Sequence, residues 1–431
     1  MSYILRIALF SLAILAMLSC RKEQLTSYPV EQSFEDPDSL MLEFKQQITN
    51  ASHGFEFTWS ANKKGFYAGY IDLKAASTGD FLIDIDPLMR NLTYRIAMVD
   101  RKPCLSFQVQ NVSASLKTRM EGLDTAFSFI AQHQDSIFLR GNTYGQKLTL
   151  YPNSAAQQTA YKNGGVQEQM DIMAILQKLP KYFKTLHYSG MAVDIHLNPE
   201  WRKVYLHFGG VDRFQAFESA FAYTATGIVF QDYFTAEASG FQGLSFLIDR
   251  QAHILKAQIN GAEVVLTNQG SPSAYDIKAA SAFMEKPFRT MNLNLGNNQI
   301  YSQPYQLSFN GFTVAGVPDA YGIKSIPNYS YLMFNPTWLT NPYGSLFIIF
   351  NNSSISNFGP AFIIQFAPDK SIFRFLYYGS FGTVPPEIQP MFNPTVAALV
   401  DQGGFYAIKS GPASYDLVSI DAENQKWIRF E

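Results

Sequence analysis

The chain has 431 residues, 47% of them hydrophobic, which is enough for two or three domains of about 150 residues with large cores. Its 33 basic and 35 acidic side chains give a formal net charge of −2, which argues against the basic surface of a nucleic-acid-binding protein. Aromatic residues make up 15%, with 36 Phe and 24 Tyr, a composition that suits pleated, half-buried surfaces.

The first residues read as a secretory signal. Met1 to Arg6 is a short basic start, and Ile7 to Leu18 is an apolar run. That run is shorter than the about 20 apolar residues that span a bilayer. Leu18-Ser19-Cys20 resembles the lipobox of bacterial lipoproteins, so residues 1–19 are expected to be removed and Cys20 to become a lipidated N-terminus. Loss of Arg6 then leaves 32 basic against 35 acidic side chains. Residues 20–36 read as a polar tether, whose free coil reaches about 20–25 Å. Acylation of Cys20 leaves Cys104 without an intrachain partner. Cys104 sits in the strand-like Pro103-Cys-Leu-Ser-Phe107 and is expected to be a buried small hydrophobe.

Three β modules follow. In the first, residues 37–155, Asp36 and Pro37 start a helix that carries Leu40, Met41, Phe44 and Ile48 on one stripe. Phe55–Ser60 and Phe66–Leu73 form a hairpin. Strands continue at 81–85, 92–99 and 105–109. After a helical stretch at 113–123 come strands at 127–131, 136–139 and 147–150. The second module, 156–295, opens on a polar linker at 156–165 and an amphipathic helix, Val166 to Leu179. A hairpin pairs 191–197 with 203–208, and residues 268–300 form a mixed connection. The third module, 296–431, has aromatic strands at 345–350, 361–366 and 371–378. Helical stretches at 113–123, 212–219 and 394–401 each precede a similar strand pattern, which suggests a recurring helix-then-meander unit. The expected fold is mainly β, with tandem β-sandwich or open-barrel-like modules and a few short helices.

The sequence holds no His-Glu-x-x-His, Gly-x-Ser-x-Gly, phosphate-binding loop or Cys-x-x-Cys. Ser60-Ala-Asn-Lys63 matches Ser-x-x-Lys but falls in a hairpin turn, where a nucleophile is unshielded. No cofactor is expected. In the 191–208 hairpin, strand alternation puts Asp194, His196, Tyr205 and His207 on one face, with His196 opposite Tyr205 and Asp194 opposite His207. Opposed side chains lie about 5 Å apart, so His196, His207 and Asp194 are the weak candidates for a metal. The favoured reading is a polar solvent face, backed by the apolar set Val193, Ile195, Val204 and Leu206. Asp80, Asp84 and Asp86 cluster near a strand end and are read as turn solvation rather than a cation site. Trp338 and Tyr343 flank the second of two Asn-Pro breaks. Such loop aromatics suit sugar rings, and the competing reading is a lid folded over the sheet.

Three stretches resemble a family of uncharacterised Bacteroidota outer-membrane lipoproteins, domain of unknown function 4302-like. They are Asp36-Pro-Asp with its helix, Ala51 to Gly54 and an aromatic hairpin; Thr93-Tyr-Arg with Pro103 to Phe107; and Asp135 to Gly141 with Gly145 to Leu150. Ala220 to Ile228 fits a later block. Phe55 stands where a Trp is usual. The resemblance implies an outer-membrane lipoprotein that accompanies nutrient import, and it implies no catalytic residues. The expected function is therefore a non-enzymatic accessory or binding protein of a glycan or peptide uptake system. It would be lipid-anchored, on the periplasmic or cell-surface face, with a porin-type transporter complex or glycan as partner. An extracellular hydrolase with a non-standard site and a structural or adhesive surface protein are the alternatives.

Overall fold

The computed structural model describes residues 36–73, 77–236, 239–249, 254–294, 300–337, 342–369, 371–421, 423 and 425–431. Cys20, the tether as far as residue 35 and Trp338 lie outside the described residues.

In helix α1 (Pro37–Asn50) the Asp36 carboxylate accepts from the Asp38 amide, and the stripe buries Phe44 and Ile48. Phe44 meets Phe129 at 5.4 Å between ring centres. Eight antiparallel strands follow, each paired with the next: β1 (Phe55–Ser60), β2 (Phe66–Asp72), β3 (Thr78–Ile83), β4 (Asp86–Val99), β5 (Lys102–Val109), β6 (Ala126–His133), β7 (Ser136–Gly141) and β8 (Lys147–Pro152). β8 returns to pair with β1, so the sheet closes. Closure leaves no free sheet edge. Alternation sends Phe55, Phe57 and Trp59 inward from β1. Helix α2 (Ala114–Met120), capped by Ser113, lies between the fifth and sixth strands. A buried knot locks the far end. Gln146 accepts from the Trp59 indole at 2.9 Å and the Asp124 amide at 3.0 Å, and donates to the Gly122 carbonyl. The Asp124 carboxylate accepts from the amides of Thr143, Tyr144 and Gln146. Cys104 is a free, buried thiol.

The segment expected as a linker is helix α3 (Ala155–Lys162). Ser154 and Gln157 form a reciprocal capping box, and Tyr161 anchors the helix by stacking on Tyr70. Helix α4 (Gly165–Gln177) then lays Val166, Ile172, Met173 and Leu176 into the core of a second closed barrel. Its strands are β9 (Phe183–Tyr188), β10 (Met191–Asn198), β11 (Lys203–Phe208), β12 (Gln215–Tyr223), β13 (Gly227–Ala236), β14 (Ser239–Asp249), β15 (Ile254–Ile259) and β16 (Ala262–Gln269), with β16 pairing back to β9. The helix expected at 212–219 is instead a turn and the start of β12, where Phe217 pairs with Leu206.

Helix α5 (Ala279–Glu285) lies ahead of residue 296 yet packs with the third module. Phe283 sits among Phe334, Phe373, Tyr415 and Phe430. The strands are β17 (Arg289–Asn294), β18 (Ile300–Ser308), β19 (Thr313–Val314), β20 (Tyr329–Asn335), β21 (Gly344–Phe350), β22 (Gly359–Phe366), β23 (Ile372–Phe381), β24 (Phe405–Gly411), β25 (Ser414–Ser419) and β26 (Lys426–Phe430). They make one ten-stranded sheet in which β18 neighbours β20 and β26 neighbours β19. Leu307 and Glu431 exchange two backbone hydrogen bonds of 2.8 Å, which join β18 to the end of β26. Helix α6 (Gln389–Leu399) falls between β23 and β24, the fifth and sixth strands counted along the sheet from β18. α2 has the same place in the first barrel.

The first two barrels meet where Phe66 and Ala68 of β2 pack on Ala222 of β12. Asp84 is fully buried there. The Arg202 guanidinium pairs with it, and the Tyr223 amide donates to it at 2.8 Å. The expected solvated turn is thus corrected. Asp84 faces the second barrel rather than water, and Asp86 pairs with Arg90 at 2.6 Å.

Candidate functional site

The hairpin β10–β11 has the expected register, with Asp194 opposite His207 and His196 opposite Tyr205. Its polar face is not solvated, however, because all four side chains are buried. The connection after β16 covers Asp194, whose carboxylate accepts from the hydroxyls of Thr185 and Ser273 at 2.5 Å each. It also accepts from the amides of Ser273 and Ala274, at 2.7 and 3.2 Å. These four donors fill it. Tyr182 covers His196, and Phe214 covers His207.

The two imidazoles lie 4.7 Å apart between ring centres. His196 Nε2 and His207 Nδ1 have no hydrogen-bond partner. Burial pushes His196 well below the usual histidine range, with His207, Lys184 and Arg429 adding to it. Burial, then the charge of Lys409, lowers His207 to about 4. Among the described residues no three metal-ligating side chains come together. Asp194, committed to its four donors, does not join the histidines.

Beside this face, the junction of the second barrel and the third module forms a cleft lined by Tyr182, Lys184, His196, Asp416, Trp427 and Arg429. Asp416 is its anchor. Arg429 grips both carboxylate oxygens, at 2.7 and 2.9 Å, and the hydroxyls of Tyr182 and Ser410 donate at 2.8 and 2.9 Å. Burial opposes ionisation of Asp416, but the Arg429 charge and these hydrogen bonds together hold it below the carboxylate range. Lys184 donates to the Tyr182 carbonyl at 2.9 Å and lies 5.8 and 5.9 Å from the Tyr182 and Trp427 rings. Burial lowers it to about 8, against the pull of Asp416. Gln425 ties the junction by accepting from the Tyr182 amide and donating to the Gly270 carbonyl, both at 2.6 Å.

A second feature lies on the outer wall of the third sheet. Tyr343, read from the sequence, stacks on Tyr378 with ring centres 4.2 Å apart and planes inclined by 14°. Phe362 pairs with Tyr377 and Ala361 with Gly379, so Tyr378 is the unpaired residue of a bulge. Bulges re-aim side chains. Tyr378 is 57% exposed, and the paired Ile363 and Leu376 are 40% and 42% exposed. The sequence reading missed Tyr378. Its signal was the run of aromatics at the end of β23, which outlasts the alternation.

The fold and these two features define a protein of tandem antiparallel β modules, with a polar cleft at one junction and an aromatic wall outside. Residues 38–248 match the model of a family described as a domain of unknown function (DUF4302). The match covers the first barrel and the second as far as β14, and the third module lies beyond it. No curated protein matches the chain. Among solved structures, the chain is similar to the β subunit of DNA polymerase from Streptococcus pyogenes. That likeness has 7% identity over 91% of this chain and 98% of that one, with a TM-score of 0.16. The DNA polymerase III β subunit from Thermotoga maritima gives 10% identity over 90% and 96%, with a TM-score of 0.14. At these TM-scores neither likeness carries an argument.

Proposed function

We propose that this protein is a lipid-anchored, non-catalytic accessory protein of a nutrient-uptake system at the outer membrane, and that it binds glycan on the wall around Tyr343 and Tyr378. The stacked tyrosine pair carries the reading. One face of each ring is spent on the other, and the exposure of Tyr378 leaves its ring open to a ligand. A tyrosine offers a flat apolar face with a polar edge, which matches the C–H face and hydroxyl rim of a sugar. Ile363 and Leu376 extend the apolar floor beside it. The N-terminal pattern ending at Cys20 supports the anchor, and the polar tether supports a domain held clear of the lipid. A porin-type transporter complex is the partner such an anchored binder would serve.

A glycan array followed by titration of Tyr378→Ala tests the binding claim. The variant should weaken the captured glycan about tenfold or more, the scale of a lost aromatic stack, with an unchanged melting temperature. Equal binding by the variant, or no glycan captured at all, would sink it. Cys20→Ala should abolish fatty-acid labelling and move the protein out of the membrane fraction.

A further inference from the structure

We propose that the cleft between the second barrel and the third module binds a small ligand through a carboxylate, received by Lys184 and steadied by Arg429. The site is separate from the tyrosine wall, so the two readings stand or fall independently.

The argument starts from charge. Two cations, Lys184 and Arg429, line the cleft with one carboxylate, Asp416. Asp416 is already saturated, because Arg429, Tyr182 and Ser410 occupy both its oxygens. Lys184 makes one hydrogen bond, to the Tyr182 carbonyl, and among the described residues it pairs with no carboxylate. An ammonium has three donors, so two are left. Arg429 spends Nε and one terminal nitrogen on Asp416, and its other terminal nitrogen remains. The nearby imidazoles are held neutral by burial and add no charge of their own. Glu431 acts on Arg429 as well, so Lys184 is the cation of the cleft left without a carboxylate, and a monoanion matches it.

Shape narrows the class. The cleft has a cavity volume of about 60 Å³, below the about 300–1,000 Å³ of sites that enclose a whole drug-sized ligand, so it takes a carboxylate group and leaves the rest of the ligand at its mouth. Trp427 and Tyr182 stand beside the amine as apolar walls. A carboxylate on Lys184 with a compact body against Trp427 satisfies both. Sugar acids and simple organic acids share that chemistry.

Calorimetric titration of the full chain with galacturonate, galactose and acetate separates the sources. Galacturonate should bind at neutral pH, and binding should weaken above pH 8 as Lys184 loses its proton. Lys184→Met should reduce affinity about tenfold or more, the scale of a lost charged hydrogen bond. Lys184→Arg should keep part of it, and Tyr378→Ala should leave it unchanged. Acetate competing as well as galacturonate would support the site with the carboxylate alone as its determinant. Galactose binding equally well would overturn the proposal, as would undiminished binding by Lys184→Met, or no binding of either acid at about 10 mM, the weak end of specific affinities.

Discussion

Acidification should loosen the β10–β11 hairpin, and His207 allows the size to be worked out. Its folded value is about 4 against an ordinary 6.5. A histidine lowered by folding is stabilising while neutral. That contribution is complete above about pH 6.5 and is lost as the pH falls towards 4, because the unfolded chain takes up the proton first. Between pH 7.5 and 5 the loss from His207 alone comes to about 2 kcal/mol. His196, displaced in the same direction, adds to it. Carboxylates raised by burial, Asp84 and Asp194 among them, act with the opposite sign, so the wild type must be compared with a variant rather than read alone. His207→Phe removes the titration and keeps a ring against Phe214. Hydrogen exchange on the β10 and β11 peptides reports opening of this hairpin rather than of the whole chain. The wild type should lose about 2 kcal/mol more protection than His207→Phe over that pH interval. Parallel pH profiles for the two proteins would refute the reasoning.

Two further substitutions probe the frame that holds the sites. Arg202→Ala should lower the stability of the junction between the first two barrels by about 3 kcal/mol, because Asp84 is left buried without its counterion; a melting temperature within error of wild type would contradict this. Gln146→Leu strands the Trp59 indole, the Asp124 amide and the Gly122 carbonyl together. Urea denaturation followed by tryptophan fluorescence should show a loss of about 2–4 kcal/mol, and an unshifted midpoint would show that water replaces the glutamine.

Local pairing was legible in the sequence, and covering was not. Alternation and a short turn fixed the register of Asp194, His196, Tyr205 and His207, since a slip by one residue would turn every side chain over. What hides that face comes from Ser273, Ala274, Phe214 and the third module, and no local pattern announces them. Closure was hidden for a similar reason. The pairing of β8 with β1 joins strands about 90 residues apart, and a sandwich strand alternates just as a barrel strand does. Helix α3 could have been read. Ser154 and Gln157 have capping-box spacing, but the polar composition of 156–165 outweighed it. At the cleft, Lys184 left one faint mark. It shares strand parity with the buried Leu186, so a charge stands where the pleat points towards the core. Asp416 and Arg429 face each other across β25 and β26, 13 residues apart, but the Tyr182 hydroxyl that joins them at Asp416 is more than 200 residues away, and no local pattern announces it.

The position of the second barrel explains why the polar chemistry gathers there. It is flanked on two sides. One junction takes the outer surface of β12, and the other takes β9 and the β10–β11 hairpin. The first barrel carries a helix between its fifth and sixth strands, and the third module carries one between β23 and β24. In the second barrel β13 ends at Ala236 and β14 starts at Ser239. A closed barrel with an apolar interior has only its outer wall to offer a neighbour, and on antiparallel strands that wall is polar by alternation. Docking two modules against it buries polar residues on both sides of each junction, and each must then find a partner. Asp84 finds Arg202, Asp194 finds Ser273, and Asp416 finds Arg429 and Tyr182. Lys184 gains only a carbonyl, and His196 and His207 each keep an unpartnered nitrogen. The groups left over lie together, at and beside the cleft.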